Sequence, residues 1–189
     1  MITSIEALLR KIMPQEILTN GAEYLMAGED CDQDDLLVKL NYLGYDQVAL
    51  VQAVGDFSVR GGIIDIYPPV FLIEGKEINE GPIRLDFFGD TIESIRSFEP
   101  YSQRSTGEIS EATILPVTDI LIDNSSQQAR KKIANRFQKI GEKADWSSTE
   151  TSRIMERTSQ GLRFAGMEYF LPLCYKDHTT KSYSELDFL

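Results

Sequence analysis

Short runs in which apolar and polar residues alternate fill the chain between residues 48 and 123, and a period of two is the mark of strands with one buried face. VALVQAV (48–54), DFSVR (56–60), IIDIY (63–67), PIRLDFF (82–88), TIESIRSF (91–98), ATILPV (112–117) and DILID (119–123) are read this way. One helix is predicted ahead of them, near 33–43, with Leu36, Leu40 and Leu43 on a single stripe. Beyond residue 123 the spacing lengthens to three and four. SQQARKKIANRFQKI (126–140) and TETSRIMERTSQ (149–160) are helical runs with Ile133, Phe137, Ile154 and Met155 as core positions, separated by Gly141 and Trp146. At the start, Ile5, Leu8, Leu9 and Ile12 line one side of a short helix that Ser4 caps and Pro14 stops. The class expected is α+β: a mainly antiparallel sheet module with few helices, followed by a helical tail.

The strongest local signal is a hairpin. PIRLDFF and TIESIRSF flank Gly89-Asp90, a two-residue turn pair. A regular ladder sets Phe88 opposite Thr91, Phe87 opposite Ile92, Asp86 opposite Glu93 and Arg84 opposite Ile95. Ile83, Leu85, Phe87, Ile92 and Phe98 then form a core face. Arg84, Asp86, Phe88, Thr91 and Glu93 form a polar one. On that polar face Asp86 and Glu93 repel each other, with Arg84 as the nearest compensating cation, and Phe88 is an aromatic among charges. An arginine beside an exposed aromatic is the composition of a protein–protein hot spot; the alternative is that a loop of the same chain covers Phe88 and that Arg84 is only a salt-bridge partner. Upstream, Phe57 and Val59 alternate with Ser58 and Arg60, which puts Arg60 on a polar face just before a bend permitted by Gly61-Gly62.

Charge sharpens the division along the chain. Of 189 residues, 30 are acidic and 19 basic, a net −11. Residues 1–123 hold 22 acids and 8 bases, whereas 124–189 hold 8 acids and 11 bases. An acidic sheet region repels phosphate, so a general nucleic-acid surface is not expected there. Cys31 and Cys174 form no CxxC pair, which leaves a disulfide framework or zinc site without support and fits a reducing, cytoplasmic setting. No run approaches the length of a membrane span, and Glu6, Arg10 and Lys11 break what a signal peptide would need as its apolar core.

Catalytic patterns are scarce. Asp30, Asp32 and Asp34 have the spacing that opens a calcium loop, but its sixth and twelfth positions are Asp35 and Asn41 rather than Gly and Glu. Asp32 as a helix cap, with Asp34 and Asp35 in the first turn, accounts for the cluster. His178 is the single histidine and sits in a polar tail. No GxxxxGK[ST] phosphate loop occurs, nor GxSxG, HExxH or GxGxxG.

Several blocks, in order, resemble one family. GDFSVRGGIIDIYPP, then PIRLDFFGDTIESIRSFEPYSQRS, then ILPV are similar to the UvrB-homology region of bacterial transcription-repair coupling factors (Mfd). ITSIEALLRKIMP and GLRFAGMEYFLPL look like segments of the same region, so the resemblance covers nearly the whole chain. The excision subunit UvrB has a related module, but SVRGG and SFEPYSQRS look more like the coupling factors.

The resemblance implies that residues 15–116 are a module binding the damage-recognition subunit UvrA, inserted into a UvrB-like domain 1. Residues 1–14 would supply a helix of that domain, and 117–189 its mostly helical return segment. The family's binding residues include the arginine of its VRG motif and the arginine and second phenylalanine of its RxDFF motif. Here these are Arg60, Arg84 and Phe88. VFLIEGKEINEG (70–81) is long for the loop joining these strands. The family's ATP-driven translocase motifs and RNA-polymerase-interacting domain do not occur in these residues. ATP and Mg would therefore belong to the full-length protein, no cofactor to this part, and RNA polymerase and DNA would be met only through other domains. The alternative is a structural or DNA-contacting part of a UvrB-type repair helicase, which the acidic balance opposes.

Overall fold

The computed structural model describes residues 11–73, 77–122 and 126–175, and the chain forms two compact units. One comprises Leu18–Thr118; the other joins Met1–Ile17 to Asp119–Leu189. The fold is α+β, and among the described residues the strands pair antiparallel except for one short parallel contact. The helix expected near 5–12 falls largely outside the described residues, as do His178 and the rest of the C-terminal tail.

The helix α1 (Gln15–Gly21) leads into β1 (Glu23–Met26), and α2 (Gln33–Leu43) follows. The Asp32 carboxylate accepts from the Asp35 amide at 2.9 Å, and Gly44 ends α2 in the left-handed conformation at φ 98°. The acidic cluster is thus a helix start, with Leu36, Leu40 and Leu43 buried on its stripe.

The strands that follow are β2 (Asp46–Gln47), β3 (Asp56–Arg60), β4 (Ile63–Ile66), β5 (Phe71–Ile73), β6 (Glu77–Asn79), β7 (Ile83–Phe88), β8 (Thr91–Phe98), β9 (Ser105–Ile109) and β10 (Glu111–Ile114). They make a six-stranded sheet in the order β2-β3-β4-β7-β8-β9 and a four-stranded sheet in the order β1-β10-β5-β6. Register places Phe57 by Ile66, Ile64 by Leu85, Ile66 by Ile83 and Leu85 by Ile95, all buried, on one face of the larger sheet.

Four expectations need correction. VALVQAV is an irregular loop: the Asp56 carboxylate accepts the Gln52 and Ala53 amides, at 3.0 and 2.8 Å, giving that backbone partners outside a ladder. DILID is not a strand over its described residues; Ile120, Leu121 and Ile122 are buried, and the Leu121 amide donates to the Tyr175 hydroxyl at 2.8 Å. The 70–81 stretch is no mere loop, since it carries the β5–β6 pair of the smaller sheet. Gly141 lies inside a helix rather than between two.

That helix, α3 (Gln127–Lys143), and its neighbour α4 (Ser148–Ser159) begin at serine caps, Ser126 and Ser147, each accepting the amide three residues on. A Cβ at Gly141 would stand 2.7 Å from Thr151 Oγ1, so glycine lets the two helices approach closely. A 3₁₀ turn, Met167–Phe170, and α5 (Leu171–Cys174) complete the helical unit. Its core packs Phe137 edge-on to Phe164 and Phe170, each at 5.4 Å, with Ile154, Met167 and Leu171. No helix among the described residues is long and apolar enough to cross a membrane.

Candidate functional site

The polar side of the larger sheet is where the chemistry gathers. Pairing of Ser58 with Asp65, Asp65 with Arg84, and Arg60 with Ile63, itself opposite Asp86, puts Ser58, Arg60, Asp65, Arg84, Asp86 and Phe88 on one face. Gly61 at φ 61° turns the chain tightly between β3 and β4, which holds Arg60 beside Asp65.

Asp65 is the centre. It has no exposed side-chain surface, and both its oxygens are occupied by arginine. Arg84 takes it in a fork, Nε to Oδ1 at 2.6 Å and Nη2 to Oδ2 at 2.9 Å, and Arg60 donates through Nη2 to the same Oδ2. A carboxylate removed from water needs such partners, since an unpaired buried charge is strongly destabilising. The hydrogen bond to Asp65, ahead of the opposing effect of burial, holds the Arg84 guanidinium above its ordinary pKa. Ser58 beside this pair is buried, with its hydroxyl unpaired among the described residues.

The expected residues are thus brought to one face but not equally presented. The Arg84 side chain is only 14% exposed, Arg60 44%, and Phe88 as a residue 82%. Arg84 also lies over the Phe98 ring, 4.7 Å from its centroid, and donates from Nη1 to the Gln103 carbonyl. Phe88 stands four residues along β7 from Arg84, about 13 Å at the rise of a strand. Its hairpin tip is clamped from the α2 side: Gln33 Nε2 donates to the Gly89 carbonyl at 3.0 Å, the Cys31 amide to the Asp90 carbonyl at 2.6 Å, and Thr91 Oγ1 to Asp30 Oδ1 at 2.7 Å. Phe88 is therefore an exposed aromatic on a fixed backbone.

The hairpin register differs from the regular ladder. Phe88 meets Thr91 and Phe87 meets Ile92, as expected, but Asp86 meets Ser94 and Arg84 meets Arg96. Glu93 is the extra residue of a bulge, so the Asp86–Glu93 repulsion does not arise. Asp86 instead accepts from Ser94 Oγ at 3.0 Å and pairs with Arg96, not Arg84. The same shift moves Phe98 from the core face to the Arg84 face. Asp65, Arg96 and Gln103 escaped the sequence reading. For Asp65 a signal existed: an acid inside IIDIY, with arginines on both neighbouring strands.

Among the described residues no three His, Cys, Asp or Glu side chains gather as they would around a metal ion. What the face offers is a fixed aromatic, an exposed guanidinium on a buried carboxylate, and a second, shielded guanidinium. Such a surface recognises by contact and hydrogen bonding.

Residues 24–119 match the UvrB interaction domain family. Transcription-repair-coupling factor of Myxococcus xanthus is 32% identical over 94% of this chain, and that of Escherichia coli strain K12 is 27% identical over 94%. The Staphylococcus haemolyticus protein of the same name is 33% identical over 77%. The chain spans only 12% to 14% of the length of these relatives. With more than half of its residues matched by the family, and its relatives transcription-repair-coupling factors, the chain belongs to the UvrB interaction domain family.

Proposed function

We propose that this chain is the part of a coupling factor that binds the excision-repair subunit UvrA, and that in the longer protein this contact recruits UvrA to stalled RNA polymerase. The observation that carries the reading is Phe88, an aromatic 82% exposed on a clamped hairpin, sharing its face with the Arg60–Asp65–Arg84 cluster. Phe88 would fill an apolar pocket, and Arg60 would bind a carboxylate of the partner with the guanidinium donors that Asp65 does not take. The module binds and does not catalyse. The flanking unit, Met1–Ile17 with Asp119–Leu189, is assigned to the UvrB-like domain 1 that carries the module.

Phe88→Ala is the cleanest test, because its side chain is almost wholly exposed and its loss costs the fold little. Loss of a central anchor costs about 2 kcal/mol or more, roughly thirtyfold in Kd. Titration calorimetry with purified UvrA should show that loss with an unchanged melting curve, and a comparable one for Arg60→Ala. Wild-type affinity in both variants would overturn the site, and no binding by the folded wild-type chain would overturn the reading itself. Duplex-DNA binding at physiological salt would favour the helicase alternative, which a sheet unit of eighteen acids and six bases argues against.

A further inference from the structure

Gln103 sits in the turn between β8 and β9, where it holds a left-handed backbone at φ 59° that residues other than glycine seldom adopt. The turn is tightly made. Glu99 accepts the Tyr101 and Ser102 amides through its carboxylate, at 3.1 and 2.5 Å, and the Gln103 amide through its carbonyl, at 2.8 Å. The purpose of the unusual backbone is visible in what the side chain reaches. Nε2 donates to the Pro100 carbonyl at 2.7 Å and the Val51 carbonyl at 3.2 Å, which uses both hydrogens of the amide. Its orientation is thereby fixed, and Oε1 must face Arg84, whose Nη2 approaches to 3.4 Å; Arg84 Nη1 meets the Gln103 carbonyl at 3.3 Å.

Arg84 is thus held on three sides: Asp65 along the Nε edge, Phe98 against one face of the plane, and Gln103 across the Nη tips. Of the five guanidinium hydrogens, four are taken, and one on Nη1 is left for a partner among the described contacts. We propose that Gln103 is a positioning residue for the docking site: it sets the rotation of the Arg84 guanidinium so that this remaining donor and the Arg60 guanidinium can address carboxylates on one partner surface. The inference rests on the proposed UvrA contact and adds to it a residue that touches the partner only through Arg84. It also ties Arg84 to the 48–55 loop, whose carbonyl at Val51 orients the amide.

The test uses the whole chain with Gln103→Ala and Gln103→Gly. Glycine suits the left-handed backbone, so the second variant removes the side chain without strain and keeps the experiment informative if alanine folds poorly. Titration against purified UvrA should show about a tenfold loss for each variant, the scale of one hydrogen bond to a charged group. Neither should add a loss in an Arg84→Ala background. Without any partner, nuclear magnetic resonance should show the Arg84 Nη groups rotating faster in both variants. Wild-type affinity in the glycine variant, an equal loss without Arg84, or unchanged rotation would each overturn the proposal. If the folded wild type does not bind UvrA, the underlying reading falls instead, and the rotation measurement still decides whether Gln103 holds Arg84.

Discussion

Asp65 shows how one buried acid organises a surface it never reaches. Its carboxylate sets the spacing of Arg60 and Arg84, so two guanidinium groups lie close where their charges would otherwise repel. Asp65→Asn keeps the shape and removes the compensating charge. Urea denaturation followed on the sheet unit should therefore show a loss of about 3 kcal/mol, the scale of breaking a buried pair by removing one partner. A loss below roughly 1 kcal/mol would mean that the arginines swing out to water. That Arg60, Arg84 and Phe88 lie on polar strand faces was legible because alternation assigns a face without any knowledge of neighbours. Asp65 and Gln103 were not, because what defines each is a set of partners on other strands and loops.

Between β3 and β4, two adjacent glycines do different work. Gly61 needs its left-handed backbone and has open space around it, whereas a Cβ on Gly62 would stand 2.9 Å from the Phe87 carbonyl oxygen. The Phe87 amide donates to the Gly62 carbonyl at 2.7 Å, so this is where the β3–β4 turn packs on β7. Gly61→Ala should cost about 1 kcal/mol through backbone strain alone. Gly62→Ala must push two backbones apart and should cost more, with Phe87 and Phe88 amide shifts displaced in a proton–nitrogen spectrum that Gly61→Ala leaves nearly unchanged there. Equal spectra would refute the close approach. At this scale the strands 56–60 and 91–98 and the helix 33–43 were readable to the residue, because capping and turn chemistry is local. The Glu93 bulge was not. An inserted residue leaves no local signature in TIESIRSF, yet it reverses the face of everything after it, which is why Phe98 was misassigned and Arg96 was missed.

Across the molecule the two units differ in what holds them. The helical unit relies on an aromatic core and carries a free thiol, Cys174, whose pKa burial pushes up to about 12 from an ordinary 9. Its folded form binds the proton more tightly than its unfolded form does, so stability is unaffected at neutral pH and falls as pH rises from about 9 towards 12. Helical circular dichroism in urea should give a lower midpoint at about pH 10.5 than at about pH 7, and Cys174→Ala should flatten that difference. The sheet unit has a different character. Eighteen acidic residues against six basic ones make it an anion as a whole, yet on the polar face of the larger sheet two arginines share a single carboxylate. At physiological salt, fields fade within about 8 Å, so an approaching acidic protein feels repulsion from most directions and attraction from one small area. On the proposed reading, the arginine pair on the buried aspartate would act as a compass: it leaves the overall repulsion in place and turns an arriving acidic protein until the arginine side faces it.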